Sequence, residues 1–194
     1  MASKIILASA SPRRRELLNQ IGVAHQVLPV DIDETPRPEE SPLETVTRLA
    51  KEKAIAGVDA AKIKGIDNPL VLAADTVVVH ADKALGKPEN QAHHCQMLEA
   101  LSNSTHQVIT AFSLKSGTGE YTQAVSSDVT FTALDLATIA SYWQSGEPHD
   151  KAGGYAIQGY AATFVKHLSG SYTGVVGLPL YELASALKRF GVDV

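Results

Sequence analysis

The chain has 194 residues and a formal net charge of −4, with 44% hydrophobic and 20% charged residues. That balance excludes a disordered tail, a collagen-like rod and a coiled coil, and it predicts one folded domain over residues 1–194. A mildly acidic chain is also poorly suited to broad nucleic-acid binding, which needs many Lys and Arg facing phosphates.

In chain order, Lys4 to Ala8 predicts a short buried strand. Ser9-Ala10-Ser11 predicts a tight loop, and Pro12 starts a helix capped by Ser11 and ended by Gly22. Val23 to Val30 predicts a second strand, weakened by Pro29. An acidic stretch follows from Asp31 to Glu40. Ser41-Pro42-Leu43-Glu44 is a capping box, and the helix behind it is expected to run to about Gly57. Val46, Leu49 and Ala50 lie on one face of that helix, and Lys53 ends their apolar stripe.

Leu70 to Ala74 predicts a buried strand that Val77 to Val79 continues past the polar pair Asp75-Thr76, with a turn at Asp82-Lys83. A helix from about Glu89 to Leu101 is expected to turn Ala92, Cys95 and Leu98 inward. Val108 to Leu114 and Tyr121 to Ala133 predict two strands joined at Gly117/Gly119. Asp135 caps a helix whose expected core stripe is Leu136, Ile139, Ala140 and Trp143. Glu147 to Tyr160 reads as a glycine-rich loop, Ala162 to Leu168 as a strand, and Pro179 to Gly191 as a closing helix. The alternation indicates an α/β domain with a partly antiparallel sheet.

The lone Cys95 cannot form an internal disulfide, which fits a reducing compartment. The N-terminal order, apolar residues and then three arginines, is the reverse of a secretory signal. No run reaches the roughly 18 apolar residues of a spanning helix.

Four places carry chemistry. Ser9 to Arg15 puts a small-residue loop, a helix N-terminus and three arginines together, a pattern suited to a phosphate. It reads equally well as solvated arginines on a surface helix. Asp75 stands in an otherwise apolar strand, where an unpaired carboxylate costs several kcal/mol (order of magnitude). It therefore either reaches a site, or pairs with an arginine or caps a break in the strand. Asp31, Asp33 and Glu34 form an acidic run that with Asp75 offers oxygen ligands to Mg²⁺, though alone it reads as a solvated loop. Glu147 to Gly159 holds Lys151 and Gln158 among glycines; pattern alone favours an ordinary loop there. There is no Walker P-loop, no dinucleotide-binding glycine pattern and no zinc spacing, since His93-His94-Cys95 are consecutive.

Taken in order, Leu7-Ala8-Ser9-Ala10-Ser11-Pro12-Arg13-Arg14, Asp33-Glu34, Lys51-Glu52-Lys53-Ala54, Ala74-Asp75-Thr76, Gly86-Lys87-Pro88 and Thr105-His106-Gln107-Val108 resemble the motifs of the Maf family. The loop from Glu147-Pro148 to Gln158-Gly159, and Gly170-Ser171-Tyr172 with Val175 to Leu180, extend the resemblance over nearly the whole chain. It implies an elongated mixed-sheet α/β fold with two lobes around a cleft, similar to the house-cleaning inosine triphosphate pyrophosphatases. It implies cleavage of a nucleoside triphosphate between the α- and β-phosphates. By the same resemblance Asp75 is the general base, and Arg13, Thr76 and Gln158 set the nucleotide, in a combination like the subgroup acting on dTTP and UTP. The phosphate-binding group is then Ser9, Arg13, Arg14, Lys53, Lys87 and Lys151, and Glu34 with Asp75 holds Mg²⁺ or Mn²⁺. A cytoplasmic homodimer acting on a nucleoside triphosphate, with no nucleic-acid or membrane partner, is the implied setting. A regulatory protein of cell-division arrest and a nucleotide-binding module without turnover are the alternatives, and the reaction products discriminate them.

Overall fold

The computed structural model describes residues 5–194, so Lys4 at the expected strand start lies outside the described residues. The apolar run Ile5-Ile6-Leu7 forms strand β1, fully buried. Helix α1 (Pro12–Gln20) follows, with the Ser11 hydroxyl accepting the Arg14 amide and Pro12 in its first turn. Strand β2 (His25–Val27) is shorter than the predicted Val23–Val30. Leu28 still donates to the Leu7 carbonyl, but Pro29 has no N–H to continue the ladder.

Helix α2 (Pro42–Ile63) opens on the capping box, both halves of which form. It runs past Gly57, where the sequence reading ended it, and stops at Lys64-Gly65. Gly57 is an interior contact residue. A Cβ there would stand 2.7 Å from Val71 Cγ1 and 2.8 Å from Ala8 Cβ. The absence of a side chain lets α2 lie close against Ala8 and Val71. Alanine is about 1 kcal/mol better than glycine inside a helix, but overpacking a tight contact costs about 1–3 kcal/mol. Gly57→Ala is therefore expected to lower stability, and a denaturant titration that shows it raised would refute the contact.

Strand β3 (Val71–His80) is continuous through Asp75-Thr76, as expected. A two-residue turn, Ala81-Asp82, with φ of 47° and 61°, returns it to β4 (Lys83–Leu85) as an antiparallel hairpin. Then come α3 (Gln91–Leu101), β5 (Thr105–Lys115), β6 (Glu120–Phe131), α4 (Leu136–Gln144), β7 (Val165–Ser169), α5 (Tyr172–Val176) and α6 (Leu180–Arg189). Among the described residues the strands form one seven-stranded sheet in the order β2-β1-β3-β5-β6-β7, with β4 on β3. β1 is parallel to β2 and β3, and β7 is antiparallel to β6, so the sheet is mixed as expected.

Two helix faces differ from expectation. On α3 the buried residues are His94, Met97, Leu98 and Leu101, a helical stripe that leaves Ala92 exposed. On α4 they are Ile139 and Tyr142; Leu136 is 60% exposed and Ala140 is also outward. Tyr142 is drawn inward because its hydroxyl has buried partners, described below. The stretch Tyr160–Phe164 is a 3₁₀ turn, so β7 begins only at Val165, and short 3₁₀ turns also occupy Glu147–Asp150 and Ala152–Gly154.

The chain divides into two compact units. The first holds the residues up to Asp75, Thr110–Val125 and Gly177–Val194. The second holds Thr76–Ile109 and Ser126–Val176. The first packs Ile6, Ala8, Ala54, Val58, Val71 and Ala73 between α2 and the parallel strands. The second packs an aromatic core that includes Phe131, Tyr142, Tyr155 and Phe164. Among the described residues no helix is long and apolar enough to cross a membrane.

Candidate active site

In the first unit, β1 delivers Ser9 to the foot of α1, where it is 8% exposed. Its hydroxyl oxygen accepts from the Ser11 amide at 3.2 Å and from Arg14 Nη1 at 3.2 Å. Arg14 Nε donates to the Gly177 carbonyl at 2.9 Å. Burial pulls the Arg14 guanidinium below its ordinary pKa, and the charges of Asp75 and Glu34 pull the other way. Arg14 is thus a fixed cation within the field of both carboxylates. Arg13 beside it is partly exposed on the same first turn.

Lys53 closes the group. Its stripe position on α2 buries it to 9% exposure, between Val46, Leu49 and Ala50 on one side and Ala54 and Gly57 on the other. A buried ammonium needs partners. Lys53 Nζ finds two, Asp75 Oδ1 at 2.7 Å and Glu34 Oε1 at 2.8 Å. Two carboxylates from different segments therefore converge on one cation. Glu34 lies in an irregular segment, held by a neighbouring network that the sequence reading missed. Arg48 on α2 gives Nε and Nη2 to the Glu40 carboxylate, Nη1 to Glu52, and a further Nη2 bond at 3.1 Å to the carbonyl of Thr35, next to Glu34. Bonding to Arg48 holds the Glu40 carboxyl down at about 2. The Asp33 carboxylate accepts the Thr35 amide at 2.9 Å.

The pair Glu34 and Asp75 suits a hard divalent ion. Mg²⁺ takes one or two carboxylates and completes its shell with phosphate oxygens and water. Among the described residues no group of three or more His, Cys, Asp or Glu is arranged for a metal.

The second unit carries Thr76, Lys87, Lys151 and Gln158. The Gly153 amide donates to the Gly86 carbonyl at 2.9 Å, which joins the loop behind Lys151 to the segment bearing Lys87. Gly153 and Gly154 have φ of 70° and 71°, and a Cβ on either would stand 2.8 Å from Val78 or from the His94 ring. Both conformation and space therefore demand glycine. Lys151 pairs with Asp150. Lys87 and Gln158 are exposed.

Two buried histidines, given no role from sequence, pin this loop. His94 Nε2 lies 3.0 Å from the Gly154 carbonyl, so that nitrogen carries the proton. His106 Nε2 lies 2.7 Å from the Tyr155 hydroxyl, and Phe131 meets its ring edge-on. The helical spacing of His94 with Met97, Leu98 and Leu101 was the signal for the first.

Burial lowers the pKa of His106 from 6.5 to about 4, with His80 adding repulsion, and burial lowers that of His94 too. The unfolded chain therefore takes the proton first. Stability falls as pH drops from about 6.5 to about 4, and the His106 share is about 3 kcal/mol. His106→Gln is expected to flatten the fall of Tm between neutral pH and pH about 4; an unchanged slope would refute the buried neutral ring.

With this geometry in place, the chain matches the family model "Maf-like protein" over residues 4–190. The chain belongs to the Maf family. Among curated relatives, the dTTP/UTP pyrophosphatase of Pseudoalteromonas atlantica is 52% identical over 188 residues, covering 97% of each chain. The dTTP/UTP pyrophosphatase of Alkalilimnicola ehrlichii is 50% identical over 190 residues, covering 97% of this chain and 94% of that one. The dTTP/UTP pyrophosphatase of Nitrosomonas europaea is 46% identical over 198 residues, with 98% and 96% covered. A solved structure, that of the Staphylococcus aureus Ham1 protein, aligns with a TM-score of 0.41 at 18% identity over 66% of this chain and 71% of that one. Membership of the Maf family and the mixed α/β architecture thus agree with the sequence reading.

Proposed function

We propose that this Maf chain is, as one enzymatic domain, a nucleoside triphosphate pyrophosphatase that converts dTTP and UTP, or modified pyrimidine nucleotides, to the monophosphate and pyrophosphate. The single observation that carries the reading is Lys53, a buried cation between Asp75 and Glu34, in a unit that also fixes Ser9 and Arg14. The names of the relatives support the substrate.

Water attacks the α-phosphorus in line, the bond to the bridging oxygen of the β-phosphate breaks, and pyrophosphate leaves. Asp75 orients the water and accepts its proton, and the Lys53 contact fixes the carboxylate that does so. Ser9, Arg13 and Arg14 at the α1 N-terminus, with Lys53, Lys87 and Lys151, bind the phosphates. Arg13, Thr76 and Gln158 select the nucleotide. Glu34 and Asp75 would hold Mg²⁺ or Mn²⁺, which when bound polarises phosphoryl oxygens and lowers the pKa of its water. The family also supports a homodimer in the cytoplasm, and light scattering on the purified protein reads its assembly state.

The test is a panel of nucleoside triphosphates with Mg²⁺ or Mn²⁺ and identification of products. Monophosphate plus pyrophosphate, fastest from dTTP and UTP, is expected. Diphosphate plus phosphate, or no turnover, overturns the proposal.

A further inference from the structure

Gln158 is exposed, yet the backbone that carries it is hydrogen-bonded on both sides. The Gly159 amide donates to the Ala156 carbonyl at 3.0 Å, which makes Gln158 the third residue of a hydrogen-bonded turn. Both ends of that turn lead to one carboxylate. At the far end the Tyr160 amide donates to Glu147 Oε2 at 3.0 Å. At the near end the Ala156 amide donates to the Tyr142 hydroxyl at 3.1 Å, which donates to Glu147 Oε1 at 2.7 Å. The rings of Tyr142 and Tyr160 stack at 6.0 Å. Gly159 lies so close that a Cβ on it would fall within the Glu147 carboxylate. Its φ of −103° is not left-handed, so it is the want of space beside Glu147 that calls for glycine there.

We infer that Glu147 is a positioning residue for Gln158, clamping both ends of its turn so that this side chain discriminates between nucleotide bases. The inference rests on the pyrophosphatase reading and on the role given there to Gln158. A carboxylate is suited to the task because each oxygen accepts and neither donates. An amide of the same size accepts at one end only and presents N–H groups to a donor at the other. Selectivity depends on holding donors and acceptors where the right base meets them, and a freed turn spreads Gln158 over many positions.

The experiment compares the wild-type protein with Glu147→Gln, Tyr142→Phe and Gln158→Ala. It reads kcat and KM for dTTP and for CTP, and hydrogen exchange at the Tyr160 amide. Glu147→Gln is expected to lower the ratio of kcat/KM for dTTP over CTP about tenfold, with the CTP rate retained, and to speed Tyr160 exchange about tenfold. Tyr142→Phe keeps Glu147 but releases the Ala156 end, and is expected to lower the ratio in the same direction. It also serves if Glu147→Gln does not fold. Gln158→Ala is expected to lower the ratio without faster exchange. Equal loss on both nucleotides, or an unchanged ratio or exchange rate in folded Glu147→Gln, overturns the inference. So does a lowered ratio in Glu147→Gln with none in Gln158→Ala, because Glu147 would then act through another residue. Absence of pyrophosphate from the wild-type protein is instead the failure of the pyrophosphatase reading.

Discussion

Asp75→Asn is expected to reduce kcat about 10²–10⁴-fold, the usual worth of a placed general base, and to leave the protein folded. Asparagine matches the carboxylate in size and can still accept from Lys53 Nζ through its amide oxygen. It cannot take a proton from water. Lys53 retains Glu34 at 2.8 Å, so its ammonium is not orphaned. The stability loss should be about 1–3 kcal/mol, because the hydrogen bond from Lys53 survives but a buried charge partner is lost, and this stays below the roughly 5–15 kcal/mol of an ordinary domain. Pyrophosphate release and a thermal melt on the same sample check both halves. Near-normal turnover in a folded variant removes Asp75 from the proton transfer.

Lys53→Met is the second large effect, and its two readouts move in opposite directions. Methionine fills a similar space on the α2 stripe and removes the charge that Asp75 and Glu34 share. Turnover is expected to fall about 10²–10³-fold, because a cation at the phosphates and the anchor of Asp75 are lost together. Binding of Mn²⁺ to the nucleotide-free protein is expected to tighten about tenfold or more. Two carboxylates left without their ammonium favour another cation, and a unit charge about 4 Å away is worth a few kcal/mol near a protein surface. Calorimetric titration with Mn²⁺ measures this directly. Unchanged or weaker binding would show that Glu34 and Asp75 do not hold the ion. Asp75→Asn, which deletes a ligand, should weaken the same titration.

Lys53 and Asp75 were legible in the sequence because each breaks an apolar pattern whose period is known. A lysine at the fourth place of a helical stripe, and a carboxylate inside a buried strand, both require a partner, and here they are each other's. The capping box on α2 and the Ser11 cap on α1 were equally local, and both form. The contacts that escaped detection join distant segments. Arg48 pairs with Glu40, eight residues back in a segment with no period of its own, and bonds to the Thr35 carbonyl. Glu147 serves a turn thirteen residues on, through a tyrosine on another element. The α4 face was misread for the same reason. Trp143 is larger and more apolar than Tyr142, but the Tyr142 hydroxyl has Glu147 and Ala156 to bond inside, so Tyr142 went in. Gly57 resembled a stop because helix propensity is local, whereas the closeness of Val71 and Ala8 is not.

The Arg48 network has a consequence for how the protein meets denaturants. The segment bearing Glu34 has no strand ladder and is attached to α2 through charged contacts: Arg48 to Glu40 and the Thr35 carbonyl, Arg37 to Glu52, and Glu34 to Lys53. Guanidinium chloride supplies the same chemical group free in solution, at a high ionic strength that screens the attachment. Urea carries no charge and competes far less for carboxylates. Catalysis should therefore decline in guanidinium chloride well before the helices of the first unit melt. In urea of matched denaturing strength, activity and helix content should be lost together.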